Sequence, residues 1–320
     1  MSAIRRRLTW VILWLGSPYR RLLMAFLAAI GPQTAYWLTD LGATLVYWLL
    51  EPLKLRCEAQ CRAALGDQTA DRDLRDMAEQ SYVHRTRNLT DLLLAKRYLT
   101  PSSFHRFGGR IGEPHLQRLL DAQRRRQPMI LVTAYYGPFD LLPVFLGYNG
   151  LRVGVVYKQH GNAGFDAFRR RVRGQSGCEL IPVEQAPRRL SEILERGGTV
   201  GILADHHAEK RGVPATFLGI KTKALASVGL LAWRYQADVI VAGIRRVDDA
   251  FRFELIIEDD VPHAEWASQD DPVAYLTDRY LRALERMVLR DPTQYLWGYA
   301  RWGEEFAREA TARAASLTPV

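Results

Sequence analysis

Two short segments of this 320-residue chain carry side chains able to move a proton. In Ile130-Leu-Val-Thr-Ala-Tyr-Tyr-Gly-Pro-Phe-Asp140, a β-branched apolar run breaks at a Gly-Pro turn and delivers a carboxylate. In Ala204-Asp-His-His-Ala-Glu209, either imidazole, His206 or His207, has the ordinary pKa range of a general base. Asp205, His206, His207 and Glu209 also have the composition of a metal-binding set, and equally that of a hydrogen-bonded loop. Tyr135 is a weak base by comparison. With a reference pKa near ~10, about one phenol in a thousand is ionised at pH 7, and a useful base needs a shift of roughly 3 units, or about 4 kcal/mol. A carboxylate nearby, such as Asp140, pushes a phenol the wrong way. Asp140 itself either polarises a neighbour or caps the helix that starts at Leu141. Arg169, Arg170, Arg171 and Arg173 form a cluster suited to phosphate recognition through forked hydrogen bonds. Further arginine clusters at 5–7, 20–21, 124–126, 188–189 and 245–246 read as readily as solvated faces.

The elements that must position these groups alternate from residue 129 onward. Strand-like runs cover 129–133, 153–157, 179–183, 199–203 and 238–244, with helical segments at about 139–148, 162–176, 187–196 and 223–236. That alternation predicts a largely parallel sheet with helices on both faces, an α/β fold whose functional groups collect at the carboxyl edge. Residues 251–258 alternate with period two and predict a hairpin with 239–246. A last helix is expected over 273–289, and helices over 57–65 and 71–98 precede the sheet, separated by a polar break at 66–69.

The composition, 48% hydrophobic and 25% charged, supplies an ample core. A net charge of +9 suggests an anionic partner, nucleic acid or an acidic lipid surface. No nucleic-acid motif is present, and the aromatic residues gather in the apolar N-terminus, so lipid fits better. Cys57, Cys61 and Cys178 are too few for a disulfide framework, which points to a reducing compartment. Between residues 22 and 50 Asp40 is the single charge, a run long enough for a bilayer but interrupted by Gly31-Pro-Gln-Thr34. A second apolar stretch, 8–15, follows Arg5-Arg-Arg7. With Trp10, Trp14, Tyr36, Trp37, Tyr47 and Trp48, this segment reads as a membrane anchor or interfacial helix pair over 1–54, followed by an α/β domain over 55–320. A buried helical hairpin is the competing reading.

The order of motifs over about residues 55–303 resembles the lipid A biosynthesis (lauroyl/myristoyl) acyltransferase family. There, a strand ends in His-x4-Glu/Asp; here Tyr135 stands at the histidine and Asp140 at the acid. Tyr157-Lys-Gln-His-Gly-Asn-Ala-Gly-Phe-Asp166 and the arginines after it are similar to a Tyr-Arg/Lys-Pro…Asn-Pro…Arg segment. Asp205, Gly212, Pro214, Phe217 and Gly219 match an Asp-Gln…Gly-Val-x-Val-Pro-Phe-Phe-Gly block. Gln294, Trp297 and Arg301 match the family's ending, where a second histidine is replaced by Tyr299. The resemblance implies acyl transfer from a carrier thioester, acyl carrier protein or acyl-CoA, to a hydroxyl or amine of a glycolipid or related anionic lipid, at the cytoplasmic face of the inner membrane. Asp140 would orient or polarise, and Tyr135, His206 or His207 would supply the base. Lys158, Arg169, Arg170, Arg173, Asp205 and Arg301 would hold substrate. No metal, cofactor or nucleic acid is implied. The missing histidine supports a second expectation, a weakened homologue that binds lipid or acyl carrier as an accessory or transport factor.

Overall fold

The structure, a computed structural model, describes residues 25–27, 29–66, 69–208 and 212–317. Its centre is a six-stranded sheet built from β1 (Met129–Thr133), β2 (Val153–Tyr157), β3 (Glu179–Pro182), β4 (Thr199–Leu203), β7 (Asp238–Arg246) and β8 (Phe253–Val261). The spatial order is β3-β2-β4-β1-β7-β8. All neighbours run parallel except β7 and β8, which form the expected hairpin. The bounds of β1, β2 and β4 coincide with the apolar runs of the sequence, because each is β-branched and ends at polar or Gly/Pro-containing segments.

Alternation along β1 feeds two cores. Ile130 and Val132 pack with α7 (Ala186–Glu195), α8 (Ser227–Tyr235) and α10 (Pro272–Arg290) on one face. Met129 and Leu131 pack with α3 (Asp71–Tyr98) and α5 (Leu142–Tyr148) on the other. This is the period-two burial of a strand covered on both sides. α6 (Ala163–Arg173) is the crossover between β2 and β3, and it starts with Asn162 accepting from the Phe165 amide.

Five elements were not expected from the sequence. β5 (Val213–Phe217) and β6 (Ile220–Ala224) form a separate hairpin, so α8 starts at Ser227 rather than near 223. A short α4 (His115–Arg124) precedes β1, and α11 (Glu304–Leu317) follows the helix expected to be last; α9 (His263–Trp266) is a single turn.

The N-terminal segment is helical and broken at Gly31, as expected. Helical residues before Gly31 and a helix α1 (Pro32–Leu49) after it fit the break expected there, Gly31 having φ +86°. Yet among the described residues no helix is long and apolar enough to cross a membrane. Part of the apolar character of α1 is internal: Ala35, Tyr36, Ala43 and Tyr47 are buried, and α1 packs along α3. Asp40 is held by Arg87 of α3. α2 (Glu51–Leu65) then packs on α11 and α3. The stretches 5–7, 8–15 and 20–21 lie outside the described residues, as does Glu209.

Candidate active site

Strand register decides which loops meet. Thr133 of β1 is paired with Leu203 of β4, so the residues two beyond each, Tyr135 and Asp205, emerge side by side at the carboxyl edge. The Tyr135 amide donates to Asp205 Oδ2 at 3.1 Å, and the Tyr295 hydroxyl donates to the same oxygen at 3.1 Å. The rest of the β1 loop is clamped from both sides. Leu296 N–H donates to the Tyr135 carbonyl, Gly137 N–H donates to the Gln294 carbonyl, and Asn88 of α3 donates to the Gly137 carbonyl at 2.8 Å. Gly137 sits at φ +54°, and a Cβ there would lie 2.0 Å from the Ile244 carbonyl oxygen, so the loop tolerates no side chain at this point.

Around Asp205 the aromatic rings close in. Tyr135 lies 5.0 Å from His206, 5.1 Å from Tyr299 and 4.9 Å from Phe139, centroid to centroid. His206 Nδ1 faces Asp205 Oδ1 at 3.7 Å. Burial lowers the His206 pKa, Asp205 opposes that shift, and Arg301 and Lys158 reinforce it. Burial, aided by Asp205 and Tyr299, pushes Tyr135 up to about 12, against the pull of Arg173 and Arg169. The phenol is therefore further from being a base than a free tyrosine. Asp205, rather than the Asp140 expected from the sequence, is the carboxylate responsible.

Asp140 has other partners. Arg169 Nη2 reaches its oxygens at 3.2 and 3.4 Å, and Arg173 forms a second ion pair with Oδ1. The carboxylate is buried between two guanidinium groups, and the helix it precedes has no side-chain cap. Asp140 thus neither caps α5 nor orients a ring; it holds Arg169 and Arg173 at the edge of the site. Two cations on one anion leave a positive surplus, and Nε of each arginine lacks a hydrogen-bond partner among the described residues. Beside them, Leu131, Thr133, Phe139, Leu142, Leu146 and Arg173 line a narrow apolar slot of about 40 Å³.

The remaining expected residues divide. Arg301 is buried, with its guanidinium 5.1 Å over the Phe217 ring and with Nε and Nη1 unpartnered among the described residues. Lys158 is exposed at the β2 loop, within electrostatic reach of His206. Arg170 does not join the site: it is exposed and paired with Asp166 at 3.1 Å, because it lies on another side of α6 from Arg169 and Arg173. His207 turns away too. Its Nδ1 lies 3.0 Å from Thr222 Oγ1, and its ring faces an adjoining polar cleft of about 520 Å³ that includes Lys221, Trp302 and Glu305. Among the described residues no group of three or more His, Cys, Asp and Glu is arranged to hold a metal. Tyr295 and Asn88 were not singled out in the sequence. Tyr295 adjoins the matching Gln294, a usable signal, whereas Asn88 is one polar residue among many on a long helix and gave none.

No curated protein matches the chain. The pattern of bacterial lipid A biosynthesis acyltransferases, in contrast, matches residues 8–304, nearly its whole length, and runs through every loop that builds this site. The chain accordingly belongs to the bacterial lipid A biosynthesis acyltransferase family.

Proposed function

We propose that the protein moves a fatty acyl chain from a carrier thioester, on acyl carrier protein or coenzyme A, to a hydroxyl or amine of an anionic glycolipid or related lipid. The family makes it an acyltransferase of lipid A-type biosynthesis, with an acyl donor and a lipid acceptor. The finer reading is supported chiefly by one juxtaposition: an apolar slot opens beside a buried Asp140–Arg169–Arg173 group at the same strand edge as His206 and Tyr135. The slot has room for only a methylene or two, but its apolar lining suits the start of an alkyl chain, and an anionic headgroup or carrier phosphate seeks the surplus charge of the arginines. Arg301 and Lys158 add positive charge nearby, and Asp140 fixes the two arginines. Holding an activated thioester against an acceptor supplies much of the rate by itself.

The reading places the protein on the cytoplasmic face of the inner membrane, with 1–54 contributing the lipid-facing part and 55–320 the transferase. Its support is the outer face of α1. Trp37, Leu41, Leu45 and Trp48, 63%, 59%, 58% and 57% exposed, form a stripe opposite the face packed on α3. The Lys54 ammonium sits 4.2 Å over the Trp48 ring at the end of that stripe. A basic and aromatic rim of this kind suits a helix lying in an anionic lipid surface.

Lipid mass spectrometry of a deletion strain tests the reading, with the natural protein and the Asp140→Asn variant as complements at equal protein levels. A lipid short of one acyl chain, restored by the first and not the second, is the expected result. An unchanged lipid profile would instead favour an accessory protein that binds lipid or acyl carrier.

A further inference from the structure

We propose that His206 is the proton acceptor of this site and Asp205 its positioning residue, a dyad carried on the β4 loop in place of one on the β1 loop; this rests on the acyltransferase reading. The argument is one of unpaired, complementary atoms. Asp205 Oδ2 is occupied twice, by the Tyr135 amide and the Tyr295 hydroxyl. Asp205 Oδ1 and His206 Nδ1 are both buried, both lack a hydrogen-bond partner among the described residues, and face each other at 3.7 Å. A small rotation of the ring joins them. With the Asp205 carboxylate oxygen facing Nδ1, the proton belongs on Nδ1 and the lone pair on Nε2, the arrangement a base requires.

The competing groups are each committed elsewhere. Both oxygens of Asp140 engage Arg169, and Oδ1 also engages Arg173. His207 is tied to Thr222 and turned toward Gly303. Tyr135 holds its proton, being buried beside Asp205 and Tyr299. His206, by contrast, keeps about a quarter of its side chain exposed (25%) while its ring touches Tyr135 and Tyr299. The charged and titratable groups around it are Asp205, Arg301, Lys158, Tyr135 and Tyr299. Burial and the two cations favour the neutral ring, and Asp205 alone of these favours the protonated one.

In the step itself, His206 Nε2 takes the proton of the acceptor hydroxyl as its oxygen bonds to the thioester carbonyl carbon. The resulting tetrahedral oxyanion collapses, the carbon–sulfur bond breaks, and the leaving thiolate recovers the proton from Nε2. An ester and a free carrier thiol result, and the ring returns to its neutral form. Asp205 stabilises the imidazolium formed in between.

The test is a single-turnover assay of the full-length protein with palmitoyl-CoA and, separately, palmitoyl-acyl carrier protein, using lipids extracted from the deletion strain as acceptor. His206→Gln is expected to lose about 10²–10⁴ in rate, the usual loss when a general base is removed. His105→Gln, in the helical region outside the site, is the unchanged control. Asp205→Asn keeps the shape of the carboxylate. Its kcat falls while KM holds within about threefold, because an amide facing Nδ1 places the ring proton on Nε2. The acidic limb of its kcat/KM profile also moves to lower pH, since the anion favouring protonation is gone. If His206→Gln does not fold, as judged by circular dichroism, these two signatures of Asp205→Asn decide the matter. A folded His206→Gln within about tenfold of the natural rate, or an Asp205→Asn with unaltered kcat and pH profile, overturns the dyad and leaves the acyltransferase reading intact. Absence of transfer by the natural protein from either donor overturns both.

Discussion

Asp140 and Arg173 form a buried ion pair beside the apolar slot, and Arg169 approaches the same carboxylate from one turn earlier on α6. The group is a charge centre whose balance depends on Asp140. Removing one partner of a buried pair leaves an uncompensated charge, which typically costs about 3–5 kcal/mol. Asp140→Ala is therefore expected to lower the melting temperature by roughly 10 °C, at about 2–4 °C per kcal/mol. Asp140→Leu with Arg173→Met should recover only part of that loss, because Arg169 is still left without its carboxylate, and should not recover transfer. Thermal melts of the three proteins check it, and equal melting temperatures for the single variant and the natural protein would contradict the pairing.

The sequence resemblance sets Tyr135 against a family histidine, and its phenol is pushed up to about 12 by burial and by Asp205 and Tyr299. What it contributes to Asp205 is its backbone amide, which any residue would supply. Tyr135→Phe should therefore keep kcat within about tenfold, well short of the 10²–10⁴ lost with a general base. A larger loss in a steady-state assay would return the base to Tyr135.

How much of this was legible in the sequence differs from level to level. The parallel core was readable because residues 129–133, 153–157 and 199–203 are apolar, β-branched and sharply bounded. The β5–β6 hairpin was not. Pro214, Lys221 and Lys223 interrupt two five-residue strands whose pattern is too short and too polar to separate from a loop. In the site, the residue types were readable but their partners were not. That Tyr135 meets Asp205 follows from the pairing of Thr133 with Leu203, a register between strands far apart in sequence. The partners of Asp140 were hidden for the same reason, since Arg169 and Arg173 come from the next crossover helix. The α1 segment left an interfacial helix and a buried hairpin both open, because both of its faces are apolar and one of those faces is part of the core.

His84 gives a pH dependence with a definite sign. It accepts a hydrogen bond from Arg246 Nη1 at 2.7 Å, and its pKa falls to about 3, first through burial and then through Arg246 and Arg87, with Asp249 opposing. The unfolded chain takes up this proton near the ordinary pKa of about 6.5, whereas the folded protein does not until far lower. Its contribution to stability is thus fully present above about pH 6.5 and is lost as pH falls toward about 3, by at most about 1.4 kcal/mol per unit. His84→Gln retains a neutral acceptor for Arg246 and removes the titration. Urea unfolding should show the natural protein losing up to about 2 kcal/mol more than this variant between pH 7 and pH 5. Equal losses would place His84 outside the acid limb.

The stripe of Trp37, Leu41, Leu45 and Trp48 should decide how the protein meets lipid. These side chains lie on the outer face of α1, while Tyr36 on its inner face reaches Asp91 and stacks over Arg246, near the strand edge where the site opens. A bilayer under the stripe would therefore lie on the α1 side of the domain. Replacing Trp37 and Leu45 by serine removes two large apolar side chains, each worth about 1.5–3 kcal/mol when fully buried, without touching the face packed on α3. Sedimentation with vesicles of mixed anionic and zwitterionic phospholipid should show partitioning reduced by at least about tenfold, with an unchanged melting temperature. The same substitutions should leave turnover of detergent-dispersed substrate nearly intact while depressing turnover in vesicles. Unaltered vesicle binding would mean that the lipid contact of this protein lies elsewhere on its surface.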